Sequence, residues 1–173
     1  MNAIARLAES PKPGLRDAAL GALAEIGEPA GEAVLSRIPV ASSAGERYRA
    51  AERYLVFARR RAEAGDKARA AAVARSIISK FNSPSESGIR SQALTLLADV
   101  LGDAALGDLV AAVDSPDRGF RARALDIART QAGFEITKRW LEKLTRAGPE
   151  AMRIGGREHH VARVQPIVAL KGA

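Results

Sequence analysis

The sequence predicts an all-α fold, on the evidence of its composition, its helix-length apolar stripes and a recurring turn-plus-helix pattern. Of its 173 residues 47% are hydrophobic, yet only 4% are aromatic. Strands are usually richer in β-branched and aromatic side chains than this. Alanine loses no side-chain entropy in a helix and lets helix axes approach, so a core built from Ala and Leu favours packed helices. The chain is long enough for one domain with a core of its own.

A turn followed by an apolar residue and an arginine recurs at the start of the predicted helices. In each copy, small or apolar residues then follow at helical spacing. The copies are Leu15-Arg16, Tyr48-Arg49 (the weakest), Ile89-Arg90 and Phe120-Arg121. Their apolar members, called the anchors below, are separated by 33, 41 and 31 residues. Because this spacing is typical of helical repeat units, it predicts four hairpins.

Proline and glycine mark the predicted ends of these helices. Proline near a helix start loses no hydrogen bond, as at Pro29, and glycine often ends a helix, as at Gly27. The helices are predicted at 14–26, 29–38, 45–63, 66–81, 86–101, 104–114, 118–131 and 134–146. Residues 2–9 look like the second helix of a hairpin whose first helix is missing. Since Ile4 and Leu7 lack the polarity of a capping repeat, we expect the chain to be part of a longer stack.

The first hairpin resembles bacterial HEAT-like repeats in the run Leu15-Arg16-Asp17-Ala18-Ala19-Leu20-Gly21-Ala22-Leu23 and in the link Ile26-Gly27-Glu28-Pro29-Ala30. The resemblance covers roughly residues 2–146. It is weakest in the second hairpin, where residues 64–70 are similar to the turn of a tetratricopeptide unit. It implies a right-handed α–α superhelix, a repeat domain over 1–148 and an interaction role, and it brings no catalytic residues. Residues 149–173 are interpreted as a cap on the last hairpin or as the start of an excised neighbouring domain.

Charge is distributed unevenly along the chain, whose formal net charge is +7. Residues 1–116 contain 15 basic and 14 acidic side chains, whereas residues 117–173 contain 12 basic and 6 acidic ones. Such an asymmetry indicates an anionic partner, either nucleic acid or an acidic protein surface.

No pattern in the sequence indicates catalysis. There is no cysteine, which excludes disulfides and thiolate metal sites. The only histidines, His159 and His160, are adjacent and therefore point different ways, so they do not form a zinc pair on one helix face. The sequence contains no nucleophile elbow and no phosphate-binding glycine loop. We expect a protein that is not an enzyme and needs no metal or cofactor.

No apolar run approaches the roughly 18 residues that a membrane span requires, and the N-terminus has no signal-peptide pattern. We therefore expect a soluble, cytoplasmic chain without a membrane partner.

A protein-interaction scaffold, or a regulatory repeat domain of a larger protein, is the function that this architecture favours. Its concave face is expected to consist of the second helix of each hairpin. The basic residues on those helices would bond carboxylates of an acidic protein partner. They are Arg69, Arg75, Lys138, Arg139 and Lys143.

The alternative is a nucleic-acid-binding domain that uses the basic last third. HEAT-like alkylpurine DNA glycosylases have tryptophans on a basic concave surface, and Trp140 of this chain lies among basic residues. However, Trp140 also fits an apolar stripe with Ile136 and Leu144, which favours burial. The chain also resembles HEAT-like bilin lyases, but none of its residues specifically favours a pigment-binding site.

The recurring arginines Arg16, Arg90 and Arg121 would lie one above the next in a stack of hairpins. We interpret them as a structural ladder, with ligand binding as the less favoured alternative. Such a ladder needs acidic neighbours because like charges repel. The candidate acidic residues are Asp17, Glu25, Asp99 and Asp126. We also expect one continuous apolar seam anchored by Leu15, Ile89 and Phe120.

Overall fold

A computed structural model describes residues 3–37 and 43–130, and within these ranges it contains helices and no β-strand. The α-helices are α1 (Ala3–Leu7), α2 (Pro13–Ile26), α3 (Glu32–Leu35), α4 (Ala44–Glu63), α5 (Lys67–Lys80), α6 (Ser87–Leu101), α7 (Leu106–Val113) and α8 (Arg118–Thr130). Short 3₁₀ turns at Pro29–Gly31, Pro84–Glu86 and Gly102–Ala105 lead into α3, α6 and α7. All these elements belong to one compact unit. The predicted all-α class is confirmed for this part of the chain.

Each helix predicted within the described residues is present, and most ends agree within one or two residues. The largest difference is in the second predicted helix, which the sequence extended to residue 38. There the α-helical part ends at Leu35, and Ser36 forms a turn. The predicted helix at 134–146 and the segment 149–173 lie outside the described residues. None of the described helices has the combination of length and apolarity needed to cross a bilayer.

Local side-chain chemistry explains where the helices begin and end. Ser43 and Glu46 form a capping box at the start of α4, in which the Ser43 hydroxyl accepts from the Glu46 amide at 3.3 Å. Asp66 caps α5 by accepting from the Arg69 amide at 3.1 Å. Gly27 ends α2 in the left-handed conformation with φ 69°, and its amide donates to the Leu23 carbonyl at 3.2 Å.

The first helices of consecutive hairpins pack against one another in chain order: α2 contacts α4, α4 contacts α6, and α6 contacts α8. The second helices α5 and α7 fill the layer beside them and also contact the helix that follows. The core consists of apolar side chains from both layers with almost no exposure. The largest of these are Phe57, Val73, Ile77, Phe81, Ile89, Leu94, Leu97, Leu109 and Phe120.

The expected apolar seam is present at two of its three anchors. Ile89 and Phe120 are 0% and 1% exposed, whereas Leu15 is 42% exposed. The prediction that Leu15 is part of a continuous seam is therefore wrong. Ile89 and Phe120 each begin a helix that packs on the first helix of the preceding hairpin, whereas α1 is the only described element that precedes α2.

Candidate functional site

Two of the arginines predicted to contact a partner, Arg69 and Arg75, already bind carboxylates of neighbouring hairpins. The Nε of Arg69 donates to both carboxylate oxygens of Glu32 at 2.7 Å. Arg75 forms a two-bond pair with Asp108, at 3.0 Å from Nε to Oδ1 and 2.8 Å from Nη2 to Oδ2. These hydrogen bonds raise the pKa of both guanidinium groups above the ordinary arginine value. Both side chains are still 51% exposed, so a partner would have to compete with an internal carboxylate.

Lys138, Arg139 and Lys143, the other predicted contact residues, lie outside the described residues, as does Trp140. The role of all five basic side chains in binding stays a prediction.

Glu32 also connects α3 to α4 through a buried tyrosine. The Tyr54 hydroxyl donates to Glu32 Oε1 at 2.8 Å, and Tyr54 is only 5% exposed. Burial, and then the hydrogen bond to Glu32, raise the pKa of Tyr54 well above its ordinary value. Glu32 is thus shared between Tyr54 and Arg69, which fixes the junction of three helices.

A buried ion pair joins the third and fourth hairpins. Arg90 Nη1 lies 3.3 Å from Asp117 Oδ2, with side-chain exposures of 11% and 8%. Asp117 Oδ1 also caps α8 by accepting from the amides of Gly119 and Phe120, at 2.9 and 3.2 Å. The Arg90 guanidinium lies 4.0 Å from the centre of the Phe120 ring, a cation–π geometry.

Arg90 therefore has the structural role that was predicted for the arginine ladder. Its acidic partner is Asp117, which is not one of the four carboxylates proposed for that role. Arg121 instead donates to the Ser115 carbonyl of its own turn at 2.6 Å. Arg16 is exposed at the surface of α2. The three arginines occupy the same sequence position but three different environments.

A groove of about 920 Å³ lies where the N-terminal ends of α2 and α4 meet the C-terminal ends of α1 and α3. Its apolar lining includes Leu20, Val34, Leu35 and Ala50. The volume is within the range of about 300–1,000 Å³ that is typical of ligand-binding sites. The groove thus combines apolar lining with charged side chains.

Four arginines line the groove: Arg16, Arg37, Arg49 and Arg53. Arg53 forms an ion pair with Asp17 of α2, and Arg37 is 3.7 Å from Glu9. The side chains of Arg16 and Arg49 form no hydrogen bond or ion pair with any residue that the structure describes. Two arginines that line the groove therefore have guanidinium donors without a partner among the described residues.

Sequence reasoning missed this site because it placed Arg16 in the ladder and gave Arg49 no role beyond marking the weak repeat. The sequence did contain a signal. Three residues before its anchor the second hairpin has Gly45, whereas the third and fourth hairpins have Glu86 and Asp117 at the corresponding position.

Comparison with known proteins finds no matching family model, no matching curated protein and no matching solved structure. Among the residues placed by the structure, no three His, Asp or Glu side chains come together as metal ligands. The groove combines an apolar floor with two arginines that have no partner among the described residues, and its lining also includes the carboxylates of Glu9, Asp17 and Glu46.

Proposed function

We propose that this chain is a cytoplasmic, non-catalytic interaction scaffold, or a regulatory repeat domain, that binds an acidic protein segment in the groove. In this proposal the hairpins stack as a HEAT-like right-handed superhelix. The series of contacts α2–α4, α4–α6 and α6–α8 supports such a stack. Ion pairs between neighbouring hairpins, such as Arg60 with Glu25 at 2.6 Å, also support it.

The observation that carries the proposal is the availability of Arg16 and Arg49 beside an apolar floor. Guanidinium–carboxylate bonds are charge-assisted and directional, so a carboxylate is the natural ligand for them. Leu20 and Val34 offer apolar area for a neighbouring side chain of the same partner. Arg6, Arg59 and Arg118 also have no ion pair within the described ranges, but none of them lines the groove.

Fluorescence polarisation with defined probes tests the proposal. The probes are a short labelled peptide of Asp, Glu, Leu and Ser, its counterpart with Lys in place of every acid, and labelled single-stranded and duplex DNA. We expect the acidic peptide to bind and its lysine counterpart to give no signal. Absence of binding by the acidic peptide at low salt would refute the proposal.

Charge reversal on α4 provides a matched pair of variants. Arg49→Glu should weaken binding of the acidic peptide about tenfold or more, since one charge-assisted contact is replaced by repulsion. Arg59→Glu makes the same change of charge on the same helix, outside the groove, and should leave the affinity nearly unchanged. Equal effects of the two variants would indicate non-specific attraction by net charge.

The contact residues that the sequence predicts on the second helices are tested in parallel by charge reversal at Lys138 and Arg139. If the groove is the site, this double variant binds the acidic peptide as the unmodified chain does. Loss of binding would move the site to the second helices and support the contact residues predicted from the sequence.

Nucleic-acid binding of the DNA-glycosylase-like kind is the second candidate, favoured by the excess of 12 basic over 6 acidic residues in 117–173. Binding to phosphates releases counterions, so the affinity should fall steeply with salt. A gel shift of duplex DNA at low and moderate salt distinguishes this function. No shift at low salt would exclude it.

A further inference from the structure

An acidic residue stands three positions before the anchor of the third hairpin and of the fourth. These residues are Glu86 and Asp117, and each holds an arginine of the preceding hairpin. Arg47 Nη2 lies 3.2 Å from Glu86 Oε1, and Arg90 Nη1 lies 3.3 Å from Asp117 Oδ2. We call this place in each hairpin the ladder position. The carboxylate at the ladder position binds an arginine of the preceding hairpin and so connects the two hairpins.

In the second hairpin the ladder position is Gly45, three residues before Tyr48. The capping role that Asp117 performs for α8 is taken here by Ser43 with Glu46, so α4 begins earlier and Gly45 lies inside its first turn. The first hairpin carries the recurring arginine, Arg16, but the second hairpin has no carboxylate at the ladder position itself. The adjacent Glu46 lines the groove, and its carboxylate accepts from the Ser43 amide and hydroxyl.

Arg49, like Arg16, has no ladder carboxylate as its partner. It is the recurring arginine of the second hairpin, but Glu86, the ladder carboxylate of the third, is held by Arg47. A Cβ built on Gly45 would lie 3.7 Å from Arg49 Nη1, so Arg49 reaches the ladder position. Residues 38–42, which join the two hairpins, include no Asp or Glu.

We propose that a carboxylate of the partner occupies the ladder position at Gly45, where it is bound by Arg16 and Arg49. The partner is a short, extended acidic peptide segment, with an apolar side chain next to the carboxylate lying on Leu20 and Val34. This inference rests on the proposed function and specifies the ligand. The partner supplies the carboxylate that the third and fourth hairpins supply from their own chain.

The test is the substitution Gly45→Asp, which supplies the carboxylate from the chain itself. The described surroundings accept the side chain, because Arg49 Nη1 at 3.7 Å is the one contact of the new Cβ with another side chain of the described residues. An acidic side chain in the first turn also suits the helix dipole. We expect the affinity for the labelled acidic peptide to fall about tenfold or more, because the internal carboxylate competes for the same guanidinium groups.

Two controls separate the carboxylate from other effects of the substitution. Gly107→Asp makes the same change at the second residue of α7, where the new Cβ would meet no side chain of the described residues within 4 Å, and it should alter affinity less than about twofold. Gly45→Asn introduces nearly the same shape without charge and should leave most of the affinity intact.

The outcomes distinguish this inference from the function on which it rests. If Gly45→Asp binds the peptide normally while Arg49→Glu does not, the ladder inference is overturned and the groove remains the binding site. Equal losses with Asp and Asn would mean simple obstruction and would also overturn it. DNA binding that disappears in both Gly45→Asp and Arg49→Glu would identify a nucleic acid as the occupant and refute the peptide. If no peptide binds the unmodified chain, the proposed function itself fails.

Discussion

Replacement of Asp117 by Asn tests how far the fourth hairpin depends on one buried carboxylate. The side chains of Asp117 and Arg90 are 8% and 11% exposed, so water screens their attraction little. Asn keeps an oxygen that can accept from the amides of Gly119 and Phe120, and the cap of α8 is therefore largely preserved. What the substitution removes is the negative charge that faces Arg90.

The expected loss of unfolding free energy is about 3 kcal/mol. Removing one partner of a buried ion pair typically costs about 3–5 kcal/mol, because the remaining charge is left uncompensated. The lower end applies here, since Arg90 and Asp117 share a single contact of 3.3 Å and Arg90 keeps its stacking on Phe120. Asp117→Ala should cost about 1 kcal/mol more, because it also removes the cap.

Urea unfolding followed by circular dichroism measures these losses, provided that the m-value stays constant among the variants. The double substitution Arg90→Met with Asp117→Asn should recover most of the stability, because no charge is then left without its partner. It also removes Arg90 Nε, a buried nitrogen without a hydrogen-bond partner among the described residues.

The control is Asp126→Asn, in the exposed pairs that Asp126 forms with Arg123 and Arg129, whose side chains are 45%, 41% and 81% exposed. Exposed pairs contribute at most about 1 kcal/mol. If Asp117→Asn costs no more than Asp126→Asn, the buried pair does not hold the two hairpins together. Additive losses in the double variant would contradict the electrostatic reasoning as well.

Gly27→Ala should destabilise the protein more than Gly65→Ala. Both glycines have positive φ, 69° and 91°, but only at Gly27 would the new Cβ overlap a side chain, that of Arg60. We expect urea unfolding to show a loss of about 1 kcal/mol at Gly65 and about 2 kcal/mol or more at Gly27, and equal losses would contradict the packing argument. Tyr54→Phe should reduce the loss of stability at alkaline pH. Because burial and Glu32 raise the pKa of Tyr54 in the folded protein, the unfolded chain releases this proton first, and stability falls as pH rises above about 10. Identical pH profiles of the variant and the unmodified chain would show that Tyr54 does not contribute.

The helices could be predicted from the sequence because the signals that define them are local. Pro13 and Gly27 bound α2, a proline leads into the 3₁₀ turn before α3, and apolar residues at helical spacing mark the faces between. Each of these signals acts within a few residues of the element it defines. The all-α class and nearly all helix ends in the described ranges follow from them.

The candidate site could not be predicted in the same way, because the state of an arginine depends on residues far away in the chain. Arg69 and Arg75 were expected to be available, yet their carboxylates are 37 and 33 residues away along the chain. Arg16 was expected to be structural, and it lines the groove with no ion pair to the described residues. Leu15, predicted to be a core anchor, is half exposed for a similar reason.

The sequence by itself determined the helical hairpins and the recurring apolar-arginine pairs at their starts. Only the tertiary structure decided which of those pairs are buried, at Ile89-Arg90, and which face solvent, at Leu15-Arg16. Helix formation depends on hydrogen bonds and side chains within one or two turns, so a single stretch of sequence is sufficient to specify it. Burial and ion pairing depend on what the neighbouring hairpin places opposite, as the buried pair of Arg90 with Asp117 shows.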